Sequence, residues 1–279
     1  MKTDFINKIS KYLRINKTIG LALGGGASKG MAIFAIIEGL EKKKIKIDMI
    51  SGTSVGAIIA AYYALFGEVE SLKKTLLNFS TKEWKEFIDL NITSNASLIK
   101  AKRYDDFLKD IFKNKTFEDT NVPLFIVATD LTRGNIKVFN SGKILDAVLA
   151  SSAFPGIFPA RVIDKNVYVD GGIINNLPYD ILLEQKANKV IAVNLNDTKT
   201  KQKINPKSGF NVLNNSFDLM MDNTFKKINP EITNLFIFEP QFKKSFSNKW
   251  KLNNLLEKYK IGIKEFESKS EEFNEWLSN

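Results

Sequence analysis

The stretch that decides the fold lies at residues 49–66 and reads MISGTSVGAIIAAYYALF. Its GTSVG motif, centred on Ser54, stands between an apolar segment, Ile45–Ser51, and an alanine-rich apolar run, Val55–Phe66. The first segment predicts a buried strand, and the second predicts a helix that packs closely on it. A serine flanked by glycines at such a junction predicts a nucleophile elbow, a tight turn that lifts the hydroxyl above a sheet. The alternative is a glycine turn that only joins strand to helix.

The composition restricts the chemistry more than any single motif does. The 279 residues contain no cysteine and no histidine. Disulfides, thiolate chemistry, cysteine-ligated zinc, histidine-ligated metals and a Ser-His-Asp triad are therefore excluded. A catalytic base in this chain has to be a carboxylate, a lysine, a tyrosine or a water molecule. No carboxylates stand at calcium-loop spacing, so we expect neither a metal nor a cofactor.

The net charge of +10 favours an anionic partner, although lysine is abundant throughout the chain. No zinc-finger, basic-zipper or RNA-binding signature is present, so we expect an anionic membrane surface rather than nucleic acid. Charged residues such as Asp4 and Arg14 interrupt the first 17 residues, which predicts no signal peptide. The longest apolar run is too short to span a bilayer. We therefore expect a cytoplasmic protein that lies peripherally on a membrane at most.

A second glycine-rich loop precedes the elbow. Ile19–Leu23 predicts a buried strand, and the sequence GGGASKG at residues 24–30 leads from it into a helix that begins at Met31. This layout aims backbone N–H groups at an anion. A dinucleotide fingerprint would need glycine at Lys29, and a P-loop would need Lys-Ser or Lys-Thr after the last glycine. An oxyanion hole needs only two or three N–H groups, which this loop can supply.

The rest of the chain predicts further helices and strands. Residues 68–113 are predicted to be helical around a polar break at 91–97, and they form a candidate lid or substrate wall. Asp130 ends a predicted strand, where a turn or capping role is the simpler interpretation. Val167–Val169 predicts a short strand that leads into Asp170-Gly171-Gly172, which places a carboxylate at a strand end. Residues 252–277 predict one charged amphipathic helix.

Taken together, these motifs resemble the patatin-like phospholipase family of the bacterial type. The similarity rests on the loop that ends in Lys29-Gly30, the GTSVG motif, the later DGG motif and the sequence ASSAFP at 150–155 between them. It implies a three-layer α/β/α fold with a mostly parallel central sheet, in which residues 18–196 form the patatin-like catalytic core. Residues 197–279 would be a mostly helical part of the same domain. Residues 1–17 predict a basic amphipathic helix that lies on a membrane or packs against its own domain.

The resemblance also implies an activity and a site. It implies a serine lipid acyl hydrolase, like a phospholipase or lysophospholipase, in which Ser54 is the nucleophile and Asp170 is the base. The backbone amides of Gly25, Gly26 and Ala27 would form the oxyanion hole, although Ala27 stands where the family has glycine. The residues expected to support these motifs are Gly24, Lys29, Gly30, Gly52, Gly56, Gly171 and Gly172.

Two questions stay open at this point. Lys29 either holds its loop, meets a phosphate head group or lies in solvent. The leading function has two alternatives, which are a soluble carboxylesterase or thioesterase with the same dyad, and a membrane-binding module without catalysis. The substrate is accordingly a lipid or another ester.

Overall fold

The structure is a computed structural model that describes residues 18–78, 96–196, 206–225, 232–242 and 254–279. The predicted helix over 1–17 and the middle of the candidate lid, 79–95, lie outside the described residues. None of the helices in the described ranges is long and apolar enough to cross a membrane.

The fold is mixed α/β and is built around one sheet whose central strands are parallel, as the fold prediction requires. The strands are β1 (Ile19–Leu23), β2 (Met49–Thr53), β3 (Leu124–Asp130), β4 (Asn135–Phe139), β5 (Arg161–Ile163), β6 (Asn166–Asp170), β7 (Lys189–Val193) and β8 (Leu235–Phe238). β1 lies between β2 and β7 and is parallel to both, while β3 is parallel to β2 and β8 is parallel to β7. β4, β5 and β6 add antiparallel pairs around β3.

Helices cover both faces of this sheet. They are α1 (Met31–Lys42), α2 (Val55–Phe66), α3 (Glu70–Asn78), α4 (Ala96–Phe112), α5 (Ile144–Ser151), α6 (Tyr179–Glu184), α7 (Gly209–Phe225), α8 (Leu255–Ser268) and α9 (Ser270–Ser278). Successive strand residues point to opposite faces, so Leu21 joins the core under α1 and α2, whereas Ala22 joins the core under α6. The result is three layers. α4 begins inside the predicted polar break at 91–97, so that prediction is wrong for residues 96 and 97.

The neighbours of β3 change along its length, and this change forms the site. β4 pairs antiparallel with residues 126–130 of β3. Of these β3 residues, 126 and 127 also pair with β2, and 128–130 also pair with β6. β2 and β6 therefore both lie on the side of β3 away from β4, where they meet end to end. Thr53, the last residue of β2, lies opposite Val127, and Asp170, the last residue of β6, lies opposite Ala128. The GTSVG and DGG motifs therefore lie beside adjacent residues of β3.

The prediction of a single helix over 252–277 is wrong at Lys269, where α8 and α9 are separate. The Lys269 side chain donates a hydrogen bond to the carbonyl of Ile237 at 2.8 Å. Beyond it, Phe273 is completely buried and packs on Phe238 with ring centroids 5.5 Å apart. The break directs this aromatic ring onto the last strand of the sheet, and the burial of the ring favours the bent arrangement.

Candidate active site

The turn between β2 and α2 holds Ser54 in a strained backbone conformation. Its φ of 56° and ψ of −124° lie in a region that residues other than glycine rarely adopt. A Cβ atom added to Gly52 would lie 2.5 Å from the carbonyl oxygen of Gly56, and one added to Gly56 would overlap the carbonyl of Leu23. Both positions therefore require glycine, as the motif predicts. Ser54 itself is half-buried, whereas Thr53 before it is completely buried.

Ser151 of α5 holds the backbone of the elbow. The Ser54 N–H donates to Ser151 Oγ at 2.9 Å, and the Ser151 hydroxyl donates to the carbonyl oxygen of Val127 at 2.6 Å. Ser151 is completely buried. One hydroxyl therefore ties the strained turn to β3. The sequence does not indicate this role, because nothing in it distinguishes Ser151 from Ser152 beside it.

Asp170 is buried at the end of β6, with only 3% of its surface exposed. The N–H of Gly172 donates to its Oδ1 at 2.8 Å, and Thr129 Oγ1 donates to its backbone carbonyl at 3.0 Å. The next residue, Gly171, packs against β2, since a Cβ atom added there would lie 3.1 Å from Thr53 Cγ2. The carboxylate is therefore fixed in orientation beside the turn that carries the predicted nucleophile.

The glycine-rich loop runs beside Ser54, because a Cβ atom added to Gly25 would lie 3.1 Å from Ser54 Cβ. The Gly25 N–H donates to the backbone carbonyl of Asn176 at 3.1 Å. The prediction that this amide belongs to the oxyanion hole is therefore wrong, since its hydrogen is already engaged. Within the described residues, the N–H groups of Gly26 and Ala27 donate to no protein acceptor. These two amides are the ones that the loop leaves available to an anion.

Ala27 shows the cost of replacing the family's glycine. Its φ is 48°, in the left-handed region, which costs a residue with a Cβ atom about 1 kcal/mol. The loop keeps its shape because the chain is held on both sides of this residue. The Gly24 N–H donates to the carbonyl of Val193 at 3.0 Å, and the Lys29 N–H donates to the carbonyl of Gly26 at 3.1 Å.

The side chain of Lys29 packs inside the protein and is only 6% exposed. Its ammonium group donates to the carbonyl of Leu195 at 3.4 Å and lies 5.0 Å from the ring centroid of Phe242. Of the three open roles, the structure supports the one in which Lys29 holds the loop. Lys258 of α8 is also buried and donates to Ser28 Oγ. Burial, assisted by the Lys29 cation, lowers the pKa of Lys258 to about 8.

The remaining motif glycines occupy places where a side chain does not fit. An added Cβ atom would crowd a neighbouring backbone or side chain in each case. The pairs are Gly24 with the Val193 carbonyl, Gly30 with the Val55 side chain, Gly171 with the Val127 carbonyl and Gly172 with the Asn176 side chain. Close approach of the loop, the elbow and the aspartate turn thus explains all three glycine patterns.

Part of the candidate lid reaches the site. Tyr104 of α4 stacks on Phe158 with ring centroids 4.4 Å apart. Burial raises the pKa of Tyr104, and the nearby Asp170 carboxylate raises it further, so this phenol stays protonated. On the next residue, Asp105 accepts a hydrogen bond from Arg161 at 2.7 Å, which fixes α4 against β5. α4 therefore forms an aromatic wall near the predicted base.

α7 lies against the aspartate turn and exposes apolar side chains. A Cβ atom added to Gly172 would lie 3.1 Å from the sulfur of Met221, and Phe217 packs edge-on against Phe154 with centroids 5.3 Å apart. The exposed apolar residues of this region are Ile174, Val212, Leu213, Leu219 and Met220. The elements nearest to the predicted dyad therefore present an apolar surface to solvent.

Asp130, the other carboxylate at a strand end, is used in a turn. Its Oδ1 accepts hydrogen bonds from the N–H groups of Thr132 and Arg133 at 2.9 Å and 3.1 Å. Among the residues that the structure describes, no group of three or more acidic side chains is placed to hold a metal ion.

Comparison with known protein families shows to which family the chain belongs. The family model described as patatin-like phospholipase matches residues 21–183, which is more than half of the chain and includes the elbow and the aspartate turn. The chain belongs to the patatin-like phospholipase family. The prediction of the family is confirmed.

This patatin-like chain is 32% identical over 203 residues to patatin-like phospholipase domain-containing protein 7 of Mus musculus. That match covers 69% of the chain and 14% of the relative. Lysophospholipase NTE1 of Mycosarcoma maydis is 30% identical over 214 residues, which cover 74% of the chain and 11% of the relative. The chain thus spans a small fraction of the length of these relatives.

Among solved structures, VipD from Legionella pneumophila is similar to this patatin-like chain with a TM-score of 0.53 and 16% identity. The alignment covers 90% of the chain and 66% of VipD. At this level of identity the similarity concerns the fold.

Proposed function

We propose that this patatin-like chain is a serine lipid acyl hydrolase, of phospholipase or lysophospholipase type, with Ser54 as nucleophile and Asp170 as base. The observation that carries the proposal is the end-to-end meeting of β2 and β6 beside β3. It brings a strained serine and a buried carboxylate from distant motifs to one place. The names of the relatives, phospholipase and lysophospholipase, support the hydrolysis of lipid esters.

In the proposed mechanism, Asp170 accepts the hydroxyl proton of Ser54 as the serine oxygen attacks the ester carbonyl. The negative charge that develops on the carbonyl oxygen is stabilised by the N–H groups of Gly26 and Ala27. Collapse of the tetrahedral intermediate expels the alcohol, which takes the proton from Asp170, and leaves an acyl group on the serine. A water molecule then gives a proton to Asp170 and attacks the acyl carbonyl. When the second tetrahedral intermediate collapses, the bond between the Ser54 oxygen and the acyl carbon breaks, Asp170 returns the proton to the Ser54 oxygen, and the fatty acid is released.

Two features support a lipid as the ester. α7 packs on the aspartate turn through Met221 and exposes apolar side chains to solvent, and in this proposal those side chains receive the acyl chain. The net charge of +10 favours approach to an anionic membrane. The peripheral membrane location and the anionic surface stay predictions.

Covalent labelling tests the nucleophile. A fluorophosphonate probe reacts with an activated serine, and we expect mass spectrometry to find the label on Ser54 in the wild-type protein. The Ser54→Ala variant should stay unlabelled, whereas Ser278→Ala, which removes an exposed serine at the end of α9, should label like the wild type. Labelling of another serine in the wild type would refute the assignment.

A substrate panel tests the reaction. We expect Ser54→Ala and Asp170→Asn to lose hydrolysis of esters while staying folded, and the exposed Asp146→Asn to keep it. Full activity in a folded Ser54 or Asp170 variant would refute the dyad. Faster turnover of micellar than of monomeric esters is expected of a lipid hydrolase. Turnover without this preference supports the soluble esterase or thioesterase, and liposome binding without any turnover supports the membrane-binding module.

A further inference from the structure

Asn176 forms hydrogen bonds with both the N–H and the carbonyl oxygen of Gly25 in the glycine-rich loop. Its side-chain amide donates to the carbonyl oxygen of Gly25 at 3.2 Å. Its own backbone carbonyl accepts the N–H of Gly25 at 3.1 Å. Asn176 is 3% exposed, and a Cβ atom added to Gly25 would lie 2.5 Å from its side-chain oxygen. One buried residue therefore fixes both peptide groups that flank Gly25.

This arrangement determines where the next amide points. In a planar trans peptide the C=O and the following N–H point in opposite directions. A hydrogen bond that fixes the carbonyl of Gly25 therefore also fixes the direction of the Gly26 N–H. Glycine has little conformational preference of its own, so the loop needs such an external contact to hold one orientation. Gly26 supplies one of the two amides that remain for the oxyanion.

The Asn176 side chain is itself held by a chain of hydrogen bonds. It donates its second hydrogen to Asn196 Oδ1 at 3.1 Å, and the Asn196 N–H donates to Asn194 Oδ1 at 3.1 Å. The Asn194 amide donates to the carboxylate of Glu239 at 3.1 Å, and the Glu239 N–H donates to Glu265 of α8 at 2.7 Å. Both donors of the Asn176 amide are thus used. The chain extends from the loop, past the end of β7, to α8.

We propose that Asn176 is a positioning residue for the oxyanion hole, and that it acts by setting the orientation of the Gly25–Gly26 peptide. The proposal rests on the proposed ester hydrolysis and adds a residue to that site. Asn176 does not touch the reacting atoms in this role. It makes the Gly26 N–H effective in stabilising the charge that forms in the transition state.

A pair of substrates separates this role from a merely structural one. Sulfur is a weaker hydrogen-bond acceptor than oxygen, so an ester and its thionoester, with C=S in place of C=O, differ in what they gain from the oxyanion hole. We expect Asn176→Ala to lower kcat for the ester by about 10- to 100-fold, because a misdirected donor contributes less than a well-aimed one. The ratio of ester to thionoester kcat should fall about tenfold, with KM changed less than about threefold.

The control is Asn121→Ala. Asn121 also donates its amide to a backbone carbonyl, that of Leu65 at 2.9 Å, but it precedes β3 at the opposite end of the sheet. This variant should keep the wild-type ratio. Asn196→Ala provides a second test in case Asn176→Ala does not fold, because it removes only the support of the Asn176 amide. We expect it to lower the same ratio by a smaller factor.

Each result decides the proposal. A lower ratio in a folded Asn176 or Asn196 variant supports it. An unchanged ratio in folded variants overturns it, even if both substrates react more slowly, while the proposed function stands. If the wild-type protein hydrolyses neither substrate, the proposed function fails and the positioning role fails with it.

Discussion

Replacing Ser151 by alanine is expected to release the strained elbow. The substitution removes one buried hydroxyl that accepts a hydrogen bond from the Ser54 N–H and donates one to Val127. Ser51→Ala is the matched control. Ser51 is also completely buried and donates to a backbone carbonyl, that of Pro178 at 2.7 Å, but it does not bond to the Ser54 backbone.

The expected loss in the free energy of unfolding follows from the number of buried polar groups that lose a hydrogen-bond partner. Each buried polar group left unsatisfied costs about 1–3 kcal/mol. Ser151→Ala leaves two such groups without a partner, so we expect the free energy of unfolding to fall by about 2–6 kcal/mol. Ser51→Ala leaves one such group without a partner, which corresponds to about 1–3 kcal/mol. The backbone conformation of Ser54 stores about 1–3 kcal/mol of strain, and part of it would relax without the Ser151 contact.

The assay combines urea unfolding with ester hydrolysis by the folded protein. A loss of about 2 kcal/mol in holding the reactive geometry corresponds to a decrease in kcat of about 30-fold. We expect this decrease for Ser151→Ala, and a change of less than about threefold for Ser51→Ala. Equal kcat values for the two folded variants would show that the Ser151 hydroxyl contributes only to stability.

Three other substitutions test features of the loop and the elbow. Ala27→Gly should raise the free energy of unfolding by about 0.5 kcal/mol, because relief of the left-handed conformation exceeds the entropy lost by glycine; a lower urea midpoint would contradict this. Gly56→Ala should prevent folding, since its methyl group would overlap the Leu23 carbonyl, and a soluble variant with the wild-type circular dichroism spectrum would refute the close approach. The pKa of Lys258 is lowered from 10.5 to about 8, so the protonated side chain is less favourable in the folded than in the unfolded protein. This lowers the free energy of unfolding below about pH 8, and the loss is recovered as the pH rises from about 8 to 10.5. Lys258→Met should therefore stabilise the protein more at pH 7 than at pH 10 in urea unfolding, and an equal effect at both pH values would contradict the pKa.

The sequence predicts the elements of the site because each motif is local. Ser54 and its flanking glycines lie within five consecutive residues, and their spacing alone indicates a tight turn between strand and helix. The absence of histidine excludes the common triad without any structural information. Asp170 is implied only by resemblance, since an aspartate before two glycines is also a common turn.

The contacts that hold the site could not be predicted, because they join residues far apart in the sequence. Ser151 bonds to a residue 97 positions away, and Asn176 bonds to one 151 positions away. The same distance explains why the role of Gly25 was predicted wrongly. Its amide is engaged by the carbonyl of Asn176, and no local pattern in the loop reveals that acceptor.

The arrangement of β2 and β6 has a consequence for how the chain tolerates insertions. Ser54 and Asp170 follow or end strands that pair with adjacent residues of β3, so their separation depends on the rise of about 3.3 Å per residue along that strand. It does not depend on the length of the chain between them. Insertions between α3 and α4 should therefore leave the spacing of the dyad unchanged, whereas one residue added within β3 would shift Asp170 relative to the serine. Natural variation in length among such proteins is accordingly expected in the connections and not in β3.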